Sequence, residues 1–370
     1  MMVRIAFYAP LKPPDHPVPS GDRRMARLFI DALRGAGHQP VLASRLRSYD
    51  GSGNPERQAR LAASGARCAA RLLRRFHAAP EAAPQLWFTY HLYHKAPDWL
   101  GPAVTTALRI PYVAAEASFA PKQANAGWAQ GHQAVEHALR RADAVIGLNP
   151  ADRACVLPLL RRPDCWMALK PFLDTAAYRP REHSIEGPPR LIAAAMMRSG
   201  DKLASYRLLA AAMARLVDLP WSLEVVGDGP ARPEVAQALA PLGSRVRWAG
   251  SLAPPAVAER LAAADVFVWP AINEAFGMAL LEAQASGLPV VAGRVGGVGE
   301  IVTHEATGLL VPPGDVIAFA TAVRRLLLDP GRCVAFGAAA WRKARREHDI
   351  TKAAACLGDL VTALGRKRAA

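Results

Sequence analysis

No stretch of this chain approaches the roughly 18–20 consecutive apolar residues that cross a bilayer, although 51% of its 370 residues are hydrophobic. The opening segment, Met1-Met2-Val3-Arg4-Ile5-Ala6-Phe7-Tyr8, lacks the longer apolar core and small-residue cleavage site of a secretion signal and reads as a first strand. A cytoplasmic location is therefore the expectation. Cysteine is scarce: Cys68, Cys155, Cys165, Cys333 and Cys356 are odd in number, and none sits at a metal-ligand spacing. That argues against a disulfide framework and a zinc site, and for scattered thiols in a reducing compartment. Walker A loops and nucleophile elbows are missing too. Gly227-Asp228-Gly229 has no third glycine at the offset of a dinucleotide fingerprint, and the glycine-rich run from Gly293 to Gly299 lacks its strand–turn–helix setting.

Acidic residues are few beside basic ones, 31 against 46, for a net charge of +15. The imbalance is concentrated in residues 1–180, with 24 basic and 13 acidic side chains, against 22 and 18 in residues 181–370. Such an excess attracts phosphates, anionic lipid or nucleic acid. Arg57, Arg60, Arg67, Arg71, Arg74 and Arg75 would line one face of a helix with Leu61, Leu72, Leu73 and Phe76 as its buried positions. That face is either a solvated surface or a patch for an anionic membrane. No nucleic-acid recognition motif accompanies it, so nucleic acid is not an expected partner.

What is abundant is alternation. Apolar runs at 3–9, 40–43, 86–90, 112–115, 144–148 and 166–169 read as strands. Longer Ala/Leu/Arg-rich segments such as 23–35 and 129–141 lie between them and read as helices. This pattern means parallel strands joined by crossover helices. It lapses over 171–189, where Pro171, Pro180, Pro188 and Pro189 with Arg179, Arg181, Glu182 and His183 suggest a linker. A second series follows at 191–195, 222–226, 246–248, 266–269, 290–292 and 308–311, with helices starting near 202, 232, 254, 277 and 316, and 332–365 reads as helical. The expected fold is α/β, two Rossmann-like doubly wound domains facing across a cleft. Their bounds are 1–175 and 176–345, with a C-terminal helix over 346–370 that returns to the first domain. In such sheets ligands bind outside the carboxyl ends of the strands.

The most informative segment follows the strand Val266-Phe267-Val268-Trp269. The loop Asn273-Glu274-Ala275-Phe276 precedes Gly277 and a helix carrying Glu282. Free amides and the dipole at a helix start favour a phosphate, and glycine permits close backbone approach there. A loop carboxylate can accept hydrogen bonds from sugar hydroxyls, and one further along can hold a ribose. Taken alone, the two glutamates could equally be a helix-start acid and a surface position. They are followed, however, by Ser286-Gly287-Leu288-Pro289-Val290-Val291, Gly296-Gly297-Val298-Gly299-Glu300-Ile301 and Thr307-Gly308-Leu309-Leu310-Val311-Pro312. Val225-Val226-Gly227-Asp228-Gly229-Pro230 and Val246-Arg247-Trp248-Ala249-Gly250 precede them.

This ordered set, spread over about 120 residues, resembles the retaining family 4 glycosyltransferases of the GT-B fold. The resemblance implies that Glu274 bonds the donor sugar, that the amides of Phe276, Gly277 and Met278 lie near the sugar or distal phosphate, and that Glu282 grips the ribose. Gly250 would join the donor site. Arg198 and Lys202 would be the basic pair on the diphosphate, where cationic donors stabilise the charge that develops on the leaving group. The run Met196-Met197-Arg198-Ser199-Gly200-Asp201-Lys202 lacks the usual glycines before the Arg and after the Lys. The implied reaction moves a sugar from a nucleoside diphosphate to an acceptor hydroxyl with retention, and needs neither metal nor further cofactor. A glycan or a lipid-linked acceptor would occupy the N-terminal half.

That half matches in layout and at a few positions. Gly21, in Pro19-Ser20-Gly21-Asp22, is either part of a loop against the donor phosphate or the acceptor, as the resemblance implies, or an ordinary turn. His91, ending 86–90, would face the sugar, with His94 and a packed structural histidine as alternatives. Glu116 would touch the acceptor or be an exposed loop acid. Two rival readings of the whole are a non-catalytic subunit that binds a nucleotide sugar and a nucleotide-sugar epimerase on the same fold.

Overall fold

The computed structural model describes residues 2–18, 20–180 and 187–369. Pro19 and the linker residues Arg181, Glu182 and His183 lie outside the described residues. The chain divides into one unit of Met1–Lys170 with Ile350–Ala370 and a second of Pro171–Asp349.

The first unit runs β1 (Arg4–Tyr8), α1 (Gly21–Gly35), β2 (Gln39–Ser44), α2 (Pro55–Ala78), β3 (Leu86–Leu92), α3 (Gly101–Leu108), β4 (Tyr112–Ala117), α4 (Ala129–Arg141), β5 (Ala144–Gly147), α5 (Arg153–Val156) and β6 (Trp166–Ala168). Its sheet has the order β2-β1-β3-β4-β5-β6, all parallel. The second unit holds β7 (Arg190–Ala194), α6 (Asp201–Ala214), β8 (Ser222–Val226), α7 (Arg232–Leu239), β9 (Val246–Gly250), α8 (Pro254–Ala263), β10 (Val266–Trp269), α9 (Met278–Ala285), β11 (Val290–Gly293), α10 (Val298–Ile301), β12 (Gly308–Val311), α11 (Val316–Leu327) and α12 (Pro330–Glu347). Its parallel sheet has the order β12-β11-β10-β7-β8-β9. The last helix, α13 (Ile350–Ala369), packs on α1 in the first unit.

Local chemistry explains the elements that carry the site. Helix α1 starts where the Ser20 hydroxyl accepts the Arg23 amide at 3.2 Å, with Asp22 in the first turn. Its inward stripe of Met25, Ala26, Phe29, Ala32 and Leu33 is fully buried, and burial of a large side chain such as Phe29 is worth about 1.5–3 kcal/mol. Phe29 lies against Phe88 and Tyr90 of β3, with ring centroids 5.4 and 5.3 Å away. This contact fixes the helix start relative to the end of β3. Helix α2 buries Leu72 and Phe76, half-buries Leu61 and Leu73, and leaves Arg57, Arg60, Arg67, Arg71, Arg74 and Arg75 exposed. Among the described residues, no helix is long and apolar enough to cross a membrane.

The helical reading of 332–365 meets a break at His348-Asp349. His348 is fully buried and its Nδ1 lies 2.6 Å from the Pro171 carbonyl. Asp349 takes the Thr175 hydroxyl. Those long-range bonds compete with continued helix, and no Pro or Gly in the sequence announces them.

Candidate active site

Both sheets have a point where successive connections diverge. In the second sheet β8 lies to one side of β7 and β10 to the other; in the first, β2 and β3 flank β1. Such a switch point leaves a crevice outside the carboxyl ends of the two central strands. In each unit an acid and a base meet across it.

In the second unit Lys202, in the first turn of α6, donates from Nζ to Glu274 Oε2 at 2.5 Å. The Trp269 indole also donates to that oxygen at 3.4 Å, and the ammonium lies 5.5 Å from the indole centroid. Both charged side chains are partly exposed. Two further bonds tie the loop to α6: Asn273 Nδ2 to Asp201 at 2.9 Å, and the Ile272 amide to Ser205 Oγ at 3.0 Å. The loop turns through left-handed Ala271 (φ 56°) and Asn273 (φ 52°) into Gly277 (φ 79°), which caps α9. A Cβ on Gly277 would stand 2.9 Å from Leu280 and 3.2 Å from the Glu274 side chain. No acceptor for the amides of Phe276, Gly277 or Met278 lies among the described residues, so these amides remain free to bind a ligand.

Arg198 is exposed after β7, and its guanidinium meets no carboxylate among the described residues. Its loop is laced to the one after β8: the Met197 amide donates to the Asp228 carbonyl at 2.9 Å, and the Ala231 amide to that of Met197 at 3.0 Å. Gly227 and Gly229 make this approach possible, because side chains there would stand 2.0 Å from the Ala195 carbonyl oxygen and 2.2 Å from that of Met197. Gly250 ends β9 at φ 66° and accepts the Gly227 amide at 2.8 Å. Glu282 is buried on α9, at 6% exposure.

In the first unit His91 Nδ1 lies 2.9 Å from Asp22 Oδ1. His91 (φ 62°) on β3 and Glu116 (φ 52°) on β4 are both left-handed. They occupy the same register, between the pairs Tyr90↔Ala115 and Leu92↔Ala117. A left-handed non-glycine residue costs about 1–2 kcal/mol, so two aligned ones mark a place where the surroundings over-determine the backbone. Burial of the His91 ring favours its neutral form, but the carboxylates of Glu116, Asp22 and Asp152 outweigh it and hold the proton to higher pH. Burial pushes the Glu116 carboxyl up to about 6 against the pull of His91. Burial raises Asp152 to about 6 as well. Asp22 is also pushed up by burial, yet its bond to His91 brings it below the ordinary value. His94 sits elsewhere: both its ring nitrogens are buried without partners among the described residues, and it packs edge-on against Trp128 at 5.6 Å. Gly21 is the first residue of α1, with open space where a Cβ would be.

Thus Arg198, Lys202, Glu274, Phe276, Gly277, Met278 and Gly250 lie along one rim of the second unit, with Glu282 inside α9. Gly21, His91 and Glu116 gather on the corresponding rim of the first. Sequence reasoning gave no role to Asp22 and Asp152 in the first unit or to Asp201 and Asn273 in the second. Asp22 had a signal, since it directly follows Gly21 at a helix start.

Two six-stranded parallel sheets flanked by helices make up the GT-B fold. Sucrose-phosphate synthase from Thermosynechococcus elongatus superimposes with a TM-score of 0.74 at 22% identity, over 98% of this chain and 99% of that one. Anabaena HepE in complex with UDP-glucose does so with a TM-score of 0.72 at 19% identity, over 98% and 100%. More particularly, residues 188–329, within the second unit, match the family described as glycosyl transferases group 1. A D-inositol 3-phosphate glycosyltransferase of Kineococcus radiotolerans is 35% identical over 248 residues, 60% of this chain and 56% of that protein. The chain thus spans little more than half the length of this curated relative.

Proposed function

We propose that this protein is a retaining family 4 glycosyltransferase that moves a sugar from a nucleoside diphosphate to an acceptor hydroxyl. The observation that carries this reading is the Lys202–Glu274 pair at the second switch point, beside the unpaired guanidinium of Arg198 and the open amides of residues 276–278. A diphosphate needs cations and amide donors, and a sugar needs a carboxylate to accept its hydroxyl protons. On donor binding Lys202 and Arg198 would turn to the phosphates and release Glu274 to the sugar. As the bond from the anomeric carbon to the phosphate oxygen breaks, an oxocarbenium-like centre develops. The negative charge on the departing diphosphate is met by Arg198, Lys202 and the helix start without recourse to a metal. Glu282 would hold the ribose.

The acceptor would be a glycan or a lipid-linked glycan in cell-surface synthesis, handled by the first unit. The exposed arginines of α2 support contact with an anionic membrane at its cytoplasmic face. UDP-glucose is the first donor to try, because HepE binds it. Thermal-shift screening against UDP, GDP and ADP sugars should find stabilisation selective for one base. Glu274→Ala and Arg198→Ala should each abolish transfer with the fold intact; undiminished transfer in either variant would overturn the reading.

A further inference from the structure

The second switch point is absorbed by the donor site, but the first holds a contact that the reaction above leaves without a role. Asp22 and His91 are 69 residues apart in sequence and meet at 2.9 Å where α1 begins and β3 ends. The parallel with Lys202 and Glu274 is topological: each pair joins the helix start after its sheet's first strand to the loop or strand end across the divergence. His91 reaches Asp22 from a left-handed backbone, aligned with the equally left-handed Glu116. Its second ring nitrogen, Nε2, has no hydrogen-bond partner among the described residues, and the side chain is 22% exposed.

We propose that Asp22 is a positioning residue whose carboxylate holds Nδ1 of His91, so that Nε2 is the ring atom offered to the sugar. This rests on the glycosyltransferase reading. A carboxylate can only accept, so it selects the ring form with hydrogen on Nδ1. In that form Nε2 is an acceptor when the ring is neutral and a donor to a sugar oxygen when the ring is charged. The groups facing His91 push toward the charged form: Asp22 from α1, Glu116 from β4 and Asp152 beyond β5. The rings of Tyr90 and Tyr93 pack against the imidazole, and Lys12 acts on Asp22. Glu116 has one buried oxygen without a hydrogen bond among the described residues, and no hydrogen bond joins it to His91 there. It therefore acts on His91 by charge, leaving Asp22 to set the ring's orientation.

The test combines imidazole nitrogen NMR on the full chain with kinetics of wild type, Asp22→Asn and Asp22→Glu. Asp22→Asn keeps the shape and removes the obligatory acceptor. In wild type the neutral His91 ring should carry its hydrogen on Nδ1. In Asp22→Asn that preference should weaken and the titration midpoint should fall, with kcat for transfer down about 10- to 100-fold. Donor KM should stay within about threefold, the kcat–pH profile should move with the NMR midpoint, and Asp22→Glu should recover part of the rate. An unmoved His91 titration in Asp22→Asn, or an unchanged kcat, overturns the proposal. If wild type transfers no sugar from any nucleotide, the functional reading fails, and the NMR arm still decides whether Asp22 sets the His91 ring.

Discussion

Replacing Gly296 by alanine should disable the rim that carries Glu274 without touching any side chain that faces it. Gly296 has φ 45°, and a Cβ there would stand 2.5 Å from the Glu274 carbonyl oxygen and 2.7 Å from that of Ala275. The left-handed backbone alone costs alanine about 1–2 kcal/mol. Ordinary contact begins near 3.4 Å, so the methyl must displace the Glu274 loop by roughly an ångström, an overpacking cost of about 1–3 kcal/mol. Together the second unit should lose about 2–5 kcal/mol of stability. Since the neighbouring Gly297 amide donates to Ala275 at 2.5 Å, the strand-end loop cannot simply swing away. A displacement of that size in a binding group costs on the order of 100-fold in rate. The control is Gly299→Ala, where nothing lies within 4 Å and the residue is inside α10; there alanine should be neutral or stabilising by up to about 1 kcal/mol. Urea unfolding and kcat/KM for transfer, measured on both variants, decide the matter. If Gly296→Ala matches Gly299→Ala in both, the idea that the loop after β11 buttresses Glu274 is wrong.

Two further perturbations probe the two units separately. Lys343 on α12 donates to the Glu300 and Ile301 carbonyls and to Thr303 Oγ1 at 2.9–3.0 Å. Lys343→Met should strip the end of α10 of its cation and cost about 3 kcal/mol in urea unfolding; a loss below about 0.5 kcal/mol would contradict that role. In the first unit, Asp22→Ala should destabilise most between about pH 4 and pH 6.5. Asp22 lies below its ordinary value, so its contribution is present above that value and fades as pH falls through the folded one. His91 lies above its ordinary value, so its contribution is present below that value and fades as pH rises through the folded one. For a partly exposed pair the effect within the window should be about 1 kcal/mol. A wild-type-minus-variant difference that is flat from pH 3 to 8.5 would refute the coupling.

The strands and their order of appearance were legible because buried parallel strands leave short Val/Ile-rich runs between helical segments. The turn into α9 at Gly277 was legible because a glycine directly before a helical run marks a backbone that other residues rarely adopt. Pairings across a sheet were not. Lys202 meets Glu274 over 72 residues, and Asp22 meets His91 over 69, and each meeting depends on which strands become neighbours. The left-handed conformations at His91 and Glu116 left no mark either, since neither is glycine or asparagine and the strain is imposed by neighbours. Gly296 showed only as one glycine among several, and its reason is a pair of carbonyl oxygens from another loop.

Helix α13 lays Ala353, Ala354, Leu357, Val361 and Leu364 inward and packs on α1 closely enough that a Cβ added at Gly35 would stand 3.6 Å from Ala354 and one at Gly358 3.3 Å from Ala36. The first unit is therefore closed by a segment that is synthesised after the whole of the second unit. Its sheet and α1 emerge early, and the surface of α1 that takes α13 must wait while the whole uninterrupted second unit is made. Vectorial synthesis thus lets the second unit finish first and makes the unit bearing Asp22 and His91 the later to mature.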